Sequence, residues 1–215
     1  MHRTQLLALT AALTAALTAS LAPQVDAQTM MTVRPESKLT LTGSSNVHDW
    51  SCKSTSFLAT IELDSNYATL PLTEVRKPIS KVVVNVPVKT LKCGNGKMDA
   101  NMYKALRAQE FTEIRYALDT YAIDAGSVTA DGFAALTKGD LTVAGQTVKV
   151  EIPITALRSA GGAMKGEGTL KMRMTDFGIK PPVALLGTLR TRNEIEIKFE
   201  VQLERAVVVA LTQPR

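Results

Sequence analysis

The sequence predicts an all-β protein, an eight-stranded antiparallel barrel with one short α-helix. Two observations carry that expectation. Apolar residues recur with a period of two, the pattern of a strand with one buried and one wet face. The alternating stretches run to about ten residues, longer than the usual five or six, and length favours a closed barrel over a stacked sandwich. The composition supplies the core: 45% of the 215 residues are hydrophobic and 21% charged, with a formal charge of +5.

Residues 1–27 read as a secretory signal. His2 and Arg3 precede an apolar run over 6–22, and Val25-Asp26-Ala27 marks a cut after Ala27. The run is rich in Ala and Thr and barely reaches the ~18 residues a membrane span needs, so cleavage is expected over retention as an anchor. The mature chain is then expected in the periplasm or outside the cell. Residues 28–36 follow as an N-terminal extension, 37–204 as the barrel domain and 205–215 as a C-terminal tail.

Within the barrel domain, strands are expected at 38–42, 56–63, 81–89, 113–123, 133–143, 147–157, 164–174 and 194–204. The last is the clearest: Ile195, Ile197, Phe199, Val201 and Leu203 alternate with Glu194, Glu196, Lys198, Glu200, Gln202 and Glu204. Ala144-Gly145-Gln146 joins two of the strands as a hairpin. A helix is expected over 98–108, capped by Asp99, with Met98, Met102, Ala105 and Leu106 on one face. An antiparallel barrel of this size holds one small ligand, as in the lipocalin type. Gly166 and Gly168 fall in register with Met164, Leu170 and Met172, where they leave interior room or mark a bend.

The census of reactive residues excludes whole classes of chemistry. Cleavage leaves His48 as the one histidine, so a multi-histidine zinc site is excluded, and the other ligand types are not clustered. No phosphate-binding loop, dinucleotide fingerprint or nucleophile elbow occurs. Positive charge is dispersed among acids and Trp50 is the only tryptophan, so no nucleic-acid partner is expected. Cys52 and Cys93 are the only cysteines; in an oxidising compartment such a pair forms a disulfide, and two unrelated free thiols are the alternative.

Four strings, in order, carry a resemblance: Gly43-Ser-Ser-Asn-Val-His-Asp-Trp-Ser51; Met98-Asp99 leading to Phe111 and Ile114; Leu141-Thr-Val-Ala-Gly-Gln-Thr-Val148; and Thr175-Asp-Phe-Gly-Ile179. The chain resembles the YceI-like family of exported proteins over residues 37–203, with 66–78 poorly matched. The resemblance implies a lipocalin-like barrel around a polyisoprenoid or related amphiphile, such as the tail of an isoprenoid quinone or a fatty-acid derivative. It implies no catalysis and no cofactor beyond such a lipid. The paired cysteines look like a feature of only some members.

Asn46, His48 and Trp50 would share one side of a strand, which the resemblance makes a barrel-lining one. Asn46 and His48 are candidates for hydrogen bonds to a polar head group or for fixing the interior, and Trp50 for packing against the chain. Met98, Met102, Met172 and Met174 suit a lining that adapts to a mobile tail, or simply fill the core. Leu106, Phe111 and Phe177 complete the ligand-binding set, Phe177 lining or plugging the cavity. A bridge to Cys93 would tie the helix to the strand bearing His48 and Trp50. Two other functions stay open: a lipid-modifying enzyme using His48 and Asp49, though neighbours on a strand point to opposite faces, and a ligand-free regulator of a membrane complex. The net positive charge also suits transient contact with a membrane surface. Oligomeric state has no signal in the sequence.

Overall fold

The structure, a computed structural model, describes residues 29–68 and 70–206; the expected signal, and the tail beyond residue 206, lie outside the described residues. The strands are β1 (Thr29–Val33), β2 (Lys38–Ser45), β3 (Asp49–Ser54), β4 (Leu58–Leu63), β5 (Ile79–Pro87), β6 (Glu113–Ile123), β7 (Gly132–Val143), β8 (Gln146–Arg158), β9 (Met164–Arg173), β10 (Val183–Ala184) and β11 (Leu189–Arg205). One α-helix, α1 (Gly96–Ala105), lies between β5 and β6. Every strand pairing is antiparallel, and the order β1-β4-β5-β6-β7-β8-β9-β11 returns to β1, closing an eight-stranded barrel. The β2–β3 hairpin is additional. β2 pairs with β11 over Thr191–Glu200, while β1 takes the end of the same strand at Leu203–Arg205.

The period-two reading is clearest on β7 and β8, where burial alternates residue by residue. β7 buries Phe133, Ala135, Thr137, Gly139 and Leu141 in turn, and β11 pairs β9 residue for residue from Glu194↔Arg173 to Leu203↔Met164. The β7–β8 connection is a two-residue turn: Val143 pairs with Gln146, and Ala144 and Gly145 have φ of 48° and 81°, as a type I′ hairpin requires.

Three expectations are corrected. Residues 28–36 are more than an extension, since Thr29–Val33 form the strand that closes the ring between β4 and β11. The run Asn46 to His48 is a turn: Ser45 N donates to His48 O at 2.9 Å, and Ser45 Oγ accepts from the amides of Val47 and His48. Side-chain to backbone bonds of this kind compete with strand pairing. The helix starts two residues earlier and ends three earlier than expected, because Asn95 is its cap, accepting from the Lys97 and Met98 amides, while Asp99 instead receives the Cys93 amide at 2.7 Å.

The ends of the barrel differ. One is a floor closed by the 64–78 loop, whose Tyr67 and Leu72 join Leu63, Ile79, Phe133, Met164 and Leu203 in one core cluster. Arg158 clamps it, donating to the carbonyls of Tyr67, Leu70 and Ala130 at 2.7–2.8 Å and pairing with Asp131 at 3.3 Å. At the other end β8 and β9 part company. Their ladder stops at Ile154↔Gly168, and the next residue on β8 is Pro153, which has no N–H to offer. The short turn Met174–Phe177 touches both strands, and Met174, Phe177 and Ile179 pack there against Val150, Ile152 and Leu170.

Candidate functional site

The barrel encloses an apolar bore in two chambers. The inner one, about 200 Å³, sits above the floor and is walled by inward residues such as Ile61, Val82, Val84, Ile154, Met164 and Val201. Its only polar side chains are Tyr116 and Thr137, which are bonded to each other at 3.3 Å, and Thr137 Oγ1 also donates to Ile152 O at 2.9 Å. Burial raises the Tyr116 phenol above its ordinary pKa, with the bond to Thr137 opposing. The second chamber, about 280 Å³, lies under α1 at the open end and shares Ile114 and Ile197 with the first. For scale, an apolar cavity of about 150 Å³ holds a benzene-sized guest.

Most residues singled out in the sequence meet in the mouth chamber. His48, Trp50, Met98, Met102, Leu106, Met172, Met174 and Phe177 all line it. Trp50 lies on Gly43, where any Cβ would strike the indole, so the glycine in the Gly43–Ser51 string serves this close approach. The Trp50 Nε1 atom is buried without a hydrogen-bond partner among the described residues. His48 is exposed at the rim; its Nδ1–H donates to Asp49 O at 2.9 Å, leaving Nε2 toward other partners. Phe177 is 2% exposed, more a wall between β8 and β9 than a plug of the bore.

Two of the set stand aside. Asn46 pins the rim: its Nδ2 donates to Thr188 O and its Oδ1 accepts from Arg190 N, both at 2.8 Å. Phe111 packs over Gly145, with the Arg107 guanidinium 4.5 Å from its ring centre, and fixes the α1–β6 connection to the β7–β8 turn. The two glycines also divide. A Cβ at Gly166 would meet open space in the inner chamber, whereas the Phe199 ring already lies over Gly168.

Cys52 and Cys93 form a disulfide that lines the mouth chamber. It joins β3 to the loop entering α1, beside a two-bond backbone bridge between Lys53 and Lys92 at 2.8 and 2.9 Å. No residue of α1 is fully buried. The helix is held at its flanks, by the disulfide and by Tyr103 Oη donating to Leu91 O at 2.7 Å, so it sits as a lid on the chamber. Of the inner wall, Phe57, Tyr116, Thr137 and Phe199 were not singled out from the sequence; alternation within 113–123 and 194–204 carried the signal for Tyr116 and Phe199. Among the described residues no group of His, Cys, Asp and Glu is arranged to hold a metal ion.

A closed antiparallel barrel with a sealed floor, a greasy bore and a helical lid is a lipocalin-like binding fold. More narrowly, the chain belongs to the YceI-like family, whose YceI-like domain model matches residues 36–203. No curated protein matches the sequence. Solved structures share the fold at low identity. BcnA of Burkholderia cenocepacia aligns with a TM-score of 0.62 at 16% identity, covering 79% of this chain and 98% of that one. A polyisoprenoid binding domain from Saccharophagus degradans, described as implicated in plant cell wall breakdown, aligns at 0.62 and 10% identity, covering 83% and 99%. The YceI protein of Campylobacter jejuni aligns at 0.54 and 14%, covering 72% and 84%.

Proposed function

We propose that this protein is exported and sequesters or carries a long-chain amphiphile of polyisoprenoid, isoprenoid-quinone or fatty-acyl type. The tail lies in the bore and the polar head at the mouth. The observation that carries this reading is a pair of largely apolar chambers that share Ile114 and Ile197, the inner one with a single internally bonded hydroxyl pair as its polar lining. Each buried CH₂ contributes ~0.8 kcal/mol, so affinity grows with the length of chain accommodated. An inner chamber without a carboxylate, histidine or lysine suits binding rather than chemistry, and the name of the Saccharophagus degradans domain is in keeping with it.

At the mouth, His48 Nε2 is the group available to a head group, Trp50 offers its indole to the chain, and the methionines of α1 and β9 are the adaptable wall. The disulfide favours an oxidising compartment, and among the described residues no helix is long and apolar enough to cross a membrane. Mass spectrometry of an organic extract of the purified protein tests the reading. A long-chain amphiphile near one per protein is expected; an empty extract together with no uptake of polyprenols, quinones or fatty acids would overturn it. His48→Ala should lower retention of a polar-headed ligand without lowering Tm, and unchanged retention would remove His48 from the site.

A further inference from the structure

We infer that the rim of the mouth is a docking surface for an anionic phospholipid bilayer. Two loops build this rim. The β2–β3 turn presents Val47, 66% exposed, and the segment from β10 to β11 presents Val183, 59% exposed, and Leu186, fully exposed. Asn46 joins them: its amide donates to Arg190 O at 3.0 Å and its side chain binds Thr188 and Arg190, while Val183 pairs with Arg190 across the β10–β11 ladder. Both loops also line the mouth chamber, through Ser45 and His48 on one side and Pro182, Leu189 and Thr191 on the other. The apolar tips therefore stand together beside the opening.

Leu186 makes the arrangement pointed. It holds a left-handed backbone, φ 54° and ψ 32°, which costs a leucine free energy that glycine would not incur. The Arg190 Nε–H, donating to Gly187 O at 3.0 Å, braces this bend. Core packing does not account for a leucine displayed this way, whereas an apolar phase outside the protein does.

Charge identifies that phase. Residues 177–192 contain Lys180, Arg190 and Arg192 and no carboxylate, and Asp49 is the one acid in 45–49. Lys97, exposed at the start of α1, faces the same opening. None of these four cations is in an ion pair among the described residues, whereas some cations elsewhere on the barrel, among them Lys38, Lys81, Lys138, Lys149 and Lys165, are paired with acids. Apolar tips set among unneutralised cations match the acyl boundary and phosphate layer of an anionic membrane. Docked this way, the mouth opens onto the bilayer; the surface stands independently of what the bore holds.

Flotation with phosphatidylcholine vesicles, with and without phosphatidylglycerol, tests the assignment on the mature protein, both as purified and delipidated. Binding is expected only to the vesicles containing phosphatidylglycerol, weakening as salt rises. Leu186→Asp should reduce affinity at least about tenfold, and Lys180→Glu with Arg192→Glu should reduce it about fivefold or more per charge. None of these side chains is packed, so Tm should not fall. Absence of wild-type binding at low salt, or unchanged binding by Leu186→Asp, would overturn the proposal. So would a dimer in sedimentation velocity that Leu186→Asp abolishes, since a second copy would then cover the tips. Vesicle binding with an empty bore would support docking while counting against the carrier reading, so the two fail separately.

Discussion

Replacing Gly166 with leucine should strengthen the fold while shrinking what it can hold. Gly166 sits on β9 between Ala156 of β8 and Val201 of β11, faces the inner chamber, and is not among the glycines with positive φ. A Cβ there meets nothing within 4 Å. Removing glycine's freedom from the unfolded chain contributes ~0.4–1 kcal/mol, and burying a leucine side chain in place of void contributes ~1.5–3 kcal/mol. A net gain of about 2–4 kcal/mol in urea unfolding follows. The same four carbons displace about four methylenes of a guest at ~0.8 kcal/mol each, so a long-chain ligand should bind roughly two-hundredfold more weakly. Native mass spectrometry and displacement of a fluorescent polyene fatty acid measure this. Gly168→Ala is the control: its Cβ collides with the Phe199 ring, so it should destabilise by ~1–3 kcal/mol. Unchanged ligand affinity in Gly166→Leu, or a loss of stability, would refute the hollow-bore argument.

Two further tests address the ends of the barrel. Tyr67 is fully buried and burial pushes its phenol up to about 12, with the Arg158 charge opposing. Its folded pKa lies above its unfolded one, so its contribution is complete below pH ~10 and disappears as pH rises toward ~12. Alkaline unfolding should show the wild type losing ~2–3 kcal/mol across that window that Tyr67→Phe does not lose, and parallel curves would contradict the burial argument. At the mouth, the Cys52–Cys93 bridge spans 41 residues and constrains the unfolded chain by ~4 kcal/mol in the entropic account. Cys52→Ser with Cys93→Ser should lower stability by about that order and raise hydrogen exchange in α1, which has no fully buried residue; exchange unchanged in α1 would mean the helix is held by other contacts.

Much of the fold was legible because strand period is a local property. The limits of β6 coincide with the expected 113–123, and the alternation at Ile195 to Leu203 is the inward face of β11. The helix shifted because two acceptors, Asn95 and Asp99, compete for the N-terminal amides, and only the fold shows that Asp99 is taken by Cys93. Asn46 and His48 looked like alternate residues of one strand, yet Ser45 caps a turn between them and β3. In the site, His48, Trp50 and the four methionines line one chamber, whereas Phe57 and Thr137 came from positions with no motif to mark them. The floor loop was equally silent, because Arg158 binds carbonyls, and any residue offers a carbonyl.

By itself the sequence determined that the chain alternates into long one-sided strands, carries two cysteines, and contains no phosphate-binding loop, dinucleotide fingerprint or nucleophile elbow. Tertiary structure alone decided that β1 rather than β2 closes the ring, that Gly166 opens on space while Gly168 does not, and that Val47, Val183 and Leu186 crowd one rim. The physical reason is distance along the chain. Alternation is set by neighbours two residues apart, but a void or a surface patch is made where residues more than a hundred positions apart are brought together, as Asn46 and Arg190 are.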